Sequence, residues 1–194
     1  IVCMELLTPQ SDSERLATRL TVANLLRENQ LSFSANVKSL HAANRVTAEF
    51  VEFVMENSSV LDVIAEEARD RDYDLTFFGL TTLISNKYLL QFENGVFELP
   101  CFMSLRVAIA ICQPSTTFLL QIFTALSKQE FTFGTPTLFN AGTKHSQFAS
   151  CFLMQLQDDS VEGIYATLSQ AAKISKHAGG IGLHMHNLRS RDSL

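Results

Sequence analysis

One stretch of the sequence, residues 134–189, constrains the fold more than any other. An apolar, strand-like run from Phe148 to Leu156 is followed by a helical segment from Ser160 to about Lys176. The turn Ala178-Gly179-Gly180-Ile181-Gly182 then leads into a second apolar run. Strand, helix, glycine turn and strand form the pattern of a crossover unit. The ends of such elements are free to hold a small ligand.

The residues before this stretch have helical patterns. Ser11 and Glu14 form a capping-box signature, and the apolar residues that follow recur at helical spacing until about Glu28. Asn94-Gly95 separates two short alternating runs and predicts a β-hairpin near residues 88–99. Further helices are predicted for Thr47 to Glu56, from a Ser59 cap onward, from near Asp74, for Phe102 to Cys112, and for Ser115 to about Lys128.

Glycine usage indicates a domain boundary near residue 130. Six of the eight glycines lie after that position, at residues 134, 142, 163, 179, 180 and 182. Glycine permits turns with unusual backbone angles and lets a ligand approach the backbone closely. We therefore expect a helical domain over residues 1–130 and a strand-containing domain over residues 131–194. The fold class is α+β, mainly α.

Charge and cysteine usage exclude several classes of protein. Fifteen basic side chains are scattered among twenty acidic ones, for a net charge of −5, so a duplex-binding face is disfavoured. No apolar run reaches the length that spans a bilayer, and we expect a cytosolic protein. Cys3, Cys101, Cys112 and Cys151 show neither CxxC nor zinc spacing, so buried core thiols are the simplest interpretation.

Single residues in the organised stretch have plain structural interpretations. Cys151, taken alone, reads as an inert core thiol, because a reactive thiol needs an accessible, electropositive setting. Asp159 and Ser160 read as helix caps. Lys176 and Arg189 read as solvated charges. The glycine turn reads as a helix end before a strand, and it lacks the dinucleotide fingerprint because its glycines follow the helix.

Two other site classes are weakly indicated. His184 and His186 are two residues apart on a predicted strand and would face the same side, but no third metal ligand is evident nearby. A metal site is therefore not predicted. A phosphate-binding loop is excluded because the sequence has no Gly-Lys-Ser/Thr, and a cysteine protease has no local signature here.

The combination of motifs is more specific than its parts. The sequence reads TPTLFNAGT at 135–143, FASCFLMQLQDDSVEGIY at 148–165 and ISKHAGGIGLHMHNLR at 174–189. Weaker matches are RLTVANLLRE at 19–28 and DYDLTFFGLTTLISNKYLL at 72–90. Together these segments resemble the N-terminal portion of the large (α, R1) subunit of class I ribonucleotide reductases, of the eukaryotic and viral type.

The resemblance implies the start of a ten-stranded α/β barrel and a reductase activity. Members of the family convert ribonucleoside diphosphates to deoxyribonucleoside diphosphates by radical chemistry, for DNA synthesis. Cys151 matches one of two thiols that reduce the ribose and are oxidised to a disulfide. Thr135 and Ser150 match residues that hydrogen-bond the substrate. Gly179 and Gly180 match the turn that lets the backbone approach it.

The resemblance also implies regulation and partners. Asp159, Ser160, Val161, Lys176 and Arg189 match the site for a deoxynucleoside triphosphate or ATP effector. That site lies at a homodimer interface in the family. No cofactor is expected to bind directly, because a metal-containing small (β) subunit supplies the radical and thioredoxin or glutaredoxin supplies electrons. Neither nucleic acid nor a membrane is an expected partner.

Departures from the family pattern leave two other hypotheses open. The resemblance assigns the radical cysteine, the partner of Cys151 and the usual ATP-cone module to segments that we do not find here, so we expect the chain alone to be inactive and poorly soluble. Leu99-Pro100-Cys101, His184 and His186 are also atypical. A truncated relic that binds nucleotide or a partner subunit is one alternative. An unrelated helical interaction module, which would bind no nucleotide, is the other.

Overall fold

The structure, a computed structural model, describes residues 11–92, 95–113, 116–145, 147–177 and 179–190. It divides into two compact units, Ile1–Gln147 and Phe148–Leu194. Four residues that the sequence analysis interpreted lie outside the described ranges: Cys3, Asn94, Ser115 and Ala178.

The first unit is helical, which confirms the predicted class of its fold. Short polar residues cap several of its helices: the hydroxyl oxygens of Ser11, Ser32, Thr47 and Thr76 each accept a hydrogen bond from a backbone N–H three residues later. The helices are α1 (Asp12–Glu28), α2 (Phe33–Ala42), α3 (Ala48–Glu56), α4 (Ser58–Ala68), a 3₁₀ helix (Arg69–Asp74), α5 (Phe77–Ser85), α6 (Pro100–Cys112), α7 (Thr116–Ser127) and α8 (Thr135–Asn140).

Some helix boundaries differ from the sequence prediction. Helix α2 was not predicted. Helix α4 begins directly after Asn57, so Ser59 lies inside the helix and does not cap it. Residues 69–74 form the 3₁₀ helix, which moves the start of α5 from the predicted Asp74 to Phe77. Helix α6 begins at Pro100, because proline fits the first turn, where its missing N–H is not needed.

The segment that carries Gly95 reverses the chain as a hairpin does. Gln91 and Phe97 form an isolated antiparallel bridge, and the Phe92 N–H donates to the Val96 carbonyl over 2.8 Å. Gly95 adopts a φ of +85°, which glycine tolerates better than other residues. The pairing is a single bridge within the predicted range, with no longer ladder among the described residues.

Helix α6 occupies the centre of the helical unit. Every residue from Pro100 to Ile109 is buried, including Arg106. The Phe102 ring packs edge-on against Phe33 with 5.6 Å between ring centroids. Apolar side chains from the surrounding helices complete the main core, among them Val22, Val37, Leu40, Phe50, Val54, Leu61, Leu80 and Phe123.

A buried ion pair ties later residues to this core. The Arg106 guanidinium lies 2.7 Å from the Glu98 carboxylate, and both side chains are fully buried. Arg106 also donates to the carbonyls of Leu138 over 3.2 Å and Ala141 over 2.5 Å. The Glu98 carboxylate in turn accepts from the Leu90 N–H over 2.9 Å. Each charged group is therefore hydrogen-bonded, as burial requires.

This network bears on where the chain divides. Sequence composition placed the boundary near residue 130, where glycine becomes frequent. In the structure the division falls between Gln147 and Phe148. Leu138 and Ala141 are buried in a second core cluster with Met103 and Val107 of α6. Packing and the bonds to Arg106 thus assign residues 131–147 to the helical unit.

The second unit is the crossover that the glycine pattern predicts. Strand β1 (Cys151–Gln155) leads through helix α9 (Val161–Lys176) to strand β2 (Gly180–His184). The two strands pair in parallel, with Cys151 opposite Gly180 and Gln155 opposite His184. Strand β1 is shorter than the predicted run from Phe148 to Leu156. The parallel pair confirms the strand, helix, strand reading.

Within the described part of the chain, none of the helices combines the length and the apolar character that crossing a membrane requires.

Candidate active site

An exposed thiol lies at the start of β1. Cys151 is exposed, and the Sγ atom is 3.6 Å from the Ser150 hydroxyl oxygen. The Gly180 N–H donates to the Ser150 carbonyl over 2.7 Å, which fixes the turn beside the thiol. The reading of Cys151 as a buried core thiol is therefore wrong, because the side chain at this end of the strand points out of the packed unit. Cys101, by contrast, is buried as expected.

The two glycines of the turn have different surroundings. A Cβ atom on Gly179 would lie 2.6 Å from Ile174 Cγ2 and 2.9 Å from Phe152 Cε2, closer than packed atoms approach. A Cβ atom on Gly180 would lie 3.4 Å from the Ser150 carbonyl oxygen, an ordinary contact. Packing within the unit thus requires glycine at 179. At 180 a Cβ atom would meet only this ordinary contact, so packing within the unit does not require glycine there.

The start of α9 is capped by one residue of the predicted pair. The Ser160 hydroxyl oxygen accepts from the Gly163 N–H over 2.9 Å, and the Ser160 hydroxyl contacts the Asp158 carboxylate. A side chain at Gly163 would collide with that carboxylate. Val161, the first residue of the helix, is exposed. Ser160 is the cap, as predicted.

Asp159 does not cap α9 and is paired with Arg189. The Asp159 Oδ2 atom is 3.1 Å from Arg189 Nε and also accepts from the Arg189 N–H over 3.1 Å. The prediction that Asp159 caps α9 is wrong, as is the reading of Arg189 as a purely solvated charge. The ion pair joins the segment after β2 to the start of α9. The Arg189 side chain remains 63% exposed, so its outer nitrogens are accessible.

Lys176 is not brought close to this group. It is the last residue of α9, while Val161 is the first. Fifteen residues of helix separate them by roughly 22 Å along the axis. A lysine side chain cannot cover that distance. Within one copy, therefore, the predicted effector residues form a cluster of Asp159, Ser160, Val161 and Arg189, with Lys176 remote and exposed.

Thr135 belongs to the helical unit, where it is the first residue of α8. The Thr135 hydroxyl oxygen lies 2.9 Å from the Tyr88 hydroxyl oxygen, in hydrogen-bond contact. Tyr88 lies at the start of the predicted hairpin range, before the observed bridge at Gln91, and the sequence analysis did not single it out. The sequence holds no local signal for this contact because 47 residues separate the two positions.

The histidine pair lies at the end of β2. The His184 and His186 rings stack with 4.0 Å between their centroids. Among the residues that the structure describes, no set of three or more His, Cys, Asp or Glu side chains is arranged to hold a metal ion.

Asn187 was also missed. The Asn187 amide donates to the Leu156 carbonyl over 2.9 Å and accepts from the Gln155 amide over 3.2 Å. It thereby ties the segment that carries Arg189 to the end of β1. An asparagine directly after a predicted strand is a turn signal, which could have drawn attention to it.

A buried carboxyl in the helical unit escaped the sequence analysis as well. Asp72 is 4% exposed, and burial raises the pKa of the carboxyl to about 7, although hydrogen bonds from Cys101 and the charge of Arg69 lower it. Burial likewise raises the pKa of the Cys101 thiol well above its ordinary value. Nothing local marks Asp72, because its partner lies on a helix later in the chain.

Comparison with known proteins places both units in one family. The family model for the ribonucleotide reductase all-alpha domain matches residues 73–146, and that for the ribonucleotide reductase barrel domain matches residues 149–194. The large chain 2 of ribonucleoside-diphosphate reductase from Saccharomyces cerevisiae is 39% identical over 98% of this chain. The chain belongs to the ribonucleotide reductase large-subunit family.

Other members are similarly close. The ribonucleoside-diphosphate reductase large subunit of Arabidopsis thaliana is 40% identical over 94% of this chain, and that of variola virus is 38% identical over 96%. The chain covers 23% of the yeast and Arabidopsis proteins and 25% of the viral one. It thus spans about a quarter of the length of these ribonucleotide reductase subunits. The motif-based resemblance is confirmed at the level of the family.

Proposed function

We propose that this chain forms part of a ribonucleoside-diphosphate reductase large subunit, which reduces ribonucleoside diphosphates to deoxyribonucleoside diphosphates. The observation that carries the proposal is the exposed Cys151 thiol, held opposite Gly180 in a chain of this family. A thiol that is accessible at the edge of an open glycine turn can reach a ligand that lies against the backbone.

In this proposal Cys151 is one of two thiols that supply electrons. The ribose 2′-hydroxyl leaves as water, a hydrogen takes its place, and the two thiols lose two electrons and two protons as they form a disulfide. The family resemblance assigns the second thiol to a region beyond the segments matched here. Thioredoxin or glutaredoxin would reduce the disulfide, and a metal-containing small subunit would supply the radical.

Most of the proposed substrate contacts lie at the glycine turn beside Cys151. The Ser150 hydroxyl lies beside the thiol, and Gly180 is exposed. Ser150, Gly179 and Gly180 are proposed to bind the ribonucleoside diphosphate. Thr135, which belongs to the helical unit, is proposed separately as a substrate-binding residue. Hydroxyl groups are suitable donors to ribose and diphosphate oxygens.

The cluster at the start of α9 is proposed as the effector site. Asp159, Ser160, Val161 and Arg189 would contact a deoxynucleoside triphosphate, with the exposed guanidinium offsetting the phosphate charge. Lys176 lies too far along α9 to join them in the same copy. We therefore propose that Lys176 of a second copy completes the site, which requires a homodimer.

Nucleotide binding tests the substrate assignment. Isothermal titration of the full chain with CDP and ADP should show saturable binding, which Ser150→Ala weakens. A chain that binds neither nucleotide would overturn the proposal and favour an unrelated helical module. Binding without deoxynucleotide formation is the result we expect of this chain alone, because the resemblance assigns the radical cysteine and the second thiol to other segments. Deoxynucleotide formation by this chain alone, when the small subunit and a thioredoxin system are supplied, would contradict that expectation.

Mixing variants tests the effector site. Asp159→Ala and Lys176→Ala should each weaken dTTP binding, whereas Glu162→Gln, on the exposed first turn of α9, should not. In a mixture of the two weakened variants, a heterodimer regains one intact site, so dTTP binding should partly return. No recovery in a mixture shown by light scattering to be dimeric would contradict the shared site.

We further propose that the protein acts in the cytoplasm.

A further inference from the structure

One tyrosine of the helical unit contacts both ends of the short helix α8. The Tyr88 hydroxyl lies 2.9 Å from the Thr135 hydroxyl oxygen at the start of that helix. The Tyr88 ring stacks on Phe139 near the end of it, with 4.5 Å between centroids and 29° between ring planes. These two contacts fix the position and the rotation of α8 relative to Tyr88.

The backbone of Tyr88 is fixed as well. The Tyr88 N–H donates to the Leu83 carbonyl over 3.0 Å, and the Tyr88 carbonyl lies 3.5 Å from Arg106 Nη2. The same guanidinium donates to the carbonyls of Leu138 and Ala141 at the end of α8. Tyr88 and the end of α8 are therefore both held by hydrogen bonds to the same buried cation, the Arg106 guanidinium. The phenol is held in place independently of any ligand.

The hydroxyl pair has a preferred direction. The contact is compatible with either hydroxyl as the donor. A phenol is the more acidic hydroxyl and the better donor, which favours Tyr88 as the donor and the Thr135 oxygen as the acceptor. The Thr135 hydroxyl then keeps its own hydrogen free. Since the contact is at the surface of the unit, that hydrogen is available to an acceptor on a ligand.

We propose that Tyr88 is a positioning residue for nucleotide binding: the phenol orients the Thr135 hydroxyl so that it donates to a phosphate or ribose oxygen of a ribonucleoside diphosphate. The inference rests on the proposed function, in which Thr135 contacts the substrate. Without the phenol, the threonine hydroxyl rotates freely and can turn its hydrogen away from the ligand.

A double-mutant cycle on the full chain tests this. Tyr88→Phe keeps the ring stack and removes only the hydroxyl, and Thr135→Val removes the threonine hydroxyl at nearly constant shape. Each change should weaken CDP binding by about three- to tenfold, and the double variant should bind no more weakly than Thr135→Val alone. Thr135→Ser should retain binding. Tyr73→Phe, a hydroxyl removal elsewhere in the unit, should leave binding unchanged.

Two results would overturn the inference while leaving the proposed function intact. One is wild-type affinity in Tyr88→Phe, and the other is additivity of the two substitutions. If the unaltered chain binds no CDP, the proposed function fails and the nucleotide role of Tyr88 fails with it. Hydrogen exchange then decides whether the contact is real: Tyr88→Phe should speed exchange of the α8 amides, and unchanged rates would remove the positioning contact too.

Discussion

The Arg106 guanidinium and the Glu98 carboxylate lie 2.7 Å apart, and neither side chain is exposed to solvent. The pair joins the centre of α6 to the segment after the hairpin, and hydrogen bonds extend it to the end of α8. Removal of one partner would leave a buried, uncompensated charge, which costs far more than losing a surface pair.

We expect Glu98→Gln to lower the free energy of unfolding by ~3–5 kcal/mol. The control is Glu66→Gln, which alters the pair with Arg69, where Glu66 is 68% exposed and Arg69 is 19% exposed. That change should cost less than ~1 kcal/mol. Urea denaturation followed by circular dichroism measures both. Equal losses would show that burial does not govern the Glu98–Arg106 pair.

Asp72 should make stability depend on pH. Its carboxyl has a pKa of about 7 in the folded chain against an ordinary value of 3.8, so the folded state binds the proton more tightly. The resulting stabilisation is complete below the ordinary pKa and is lost as pH rises through about 7. Asp72→Asn, which resembles the protonated acid, should remove this dependence. Unfolding free energies from pH 5 to pH 8 measure it.

The size and control of that effect follow from the same shift. Relative to the Asn variant, wild type should lose about 2–3 kcal/mol between pH 5 and pH 8, because the loss of ~1.4 kcal/mol per pH unit ends near the folded pKa of about 7. Asp70→Asn, an exposed neighbour on the same 3₁₀ helix, should leave the pH dependence unchanged. Parallel pH profiles for wild type and Asp72→Asn would mean that Asp72 titrates normally in the fold.

The cysteines should differ in reactivity. Cys151 is exposed, whereas Cys101 is buried and burial raises the pKa of its thiol, leaving little thiolate. Alkylation of the native chain with iodoacetamide, mapped by mass spectrometry, should label Cys151 first and Cys101 only after denaturant is added. Cys112, half-buried with a thiol pKa raised by burial, should fall between them. Early labelling of Cys101 would contradict the described core.

Alanine at the two turn glycines should separate folding from binding. Gly179→Ala forces a methyl group against Ile174 and Phe152, and we expect it to destabilise the second unit by ~1–3 kcal/mol. Gly180→Ala meets only an ordinary contact, so stability should hold while nucleotide affinity falls. Hydrogen exchange of β1 and β2 amides measures the first effect and CDP titration the second. The reverse pattern would refute this assignment of roles.

Local patterns were sufficient for much of the fold. Ser160, with helical spacing after it, predicted the start of α9, because a cap and its helix are adjacent in sequence. The glycines at 179 and 180 predicted the second strand for the same reason. The geometry of the candidate site was harder to predict from the sequence. The exposure of Cys151 and the pairing of Asp159 with Arg189 depend on contacts between distant residues, which no local pattern encodes.

The same reason explains the residues that were overlooked. The contacts of Tyr88 with Thr135 and of Asp72 with Cys101 are long-range contacts, which depend on how several helices pack. The predicted boundary near residue 130 rests on glycine composition alone, which takes no account of the hydrogen bonds from Arg106 to the carbonyls of Leu138 and Ala141. A composition shift reports a change in local backbone, whereas a compact unit is defined by its long-range packing.

The thiol-bearing strand is aligned with the glycine turn by main-chain hydrogen bonds between parallel strands, beginning with the Gly180 N–H and the Ser150 carbonyl. Every residue type except proline can make such bonds. Side chains along both strands can therefore diverge during evolution while the spacing between sulfur and turn is inherited unchanged. A protein lineage can in this way keep the thiol at the same position beside the glycine turn after most of its other residues have been substituted.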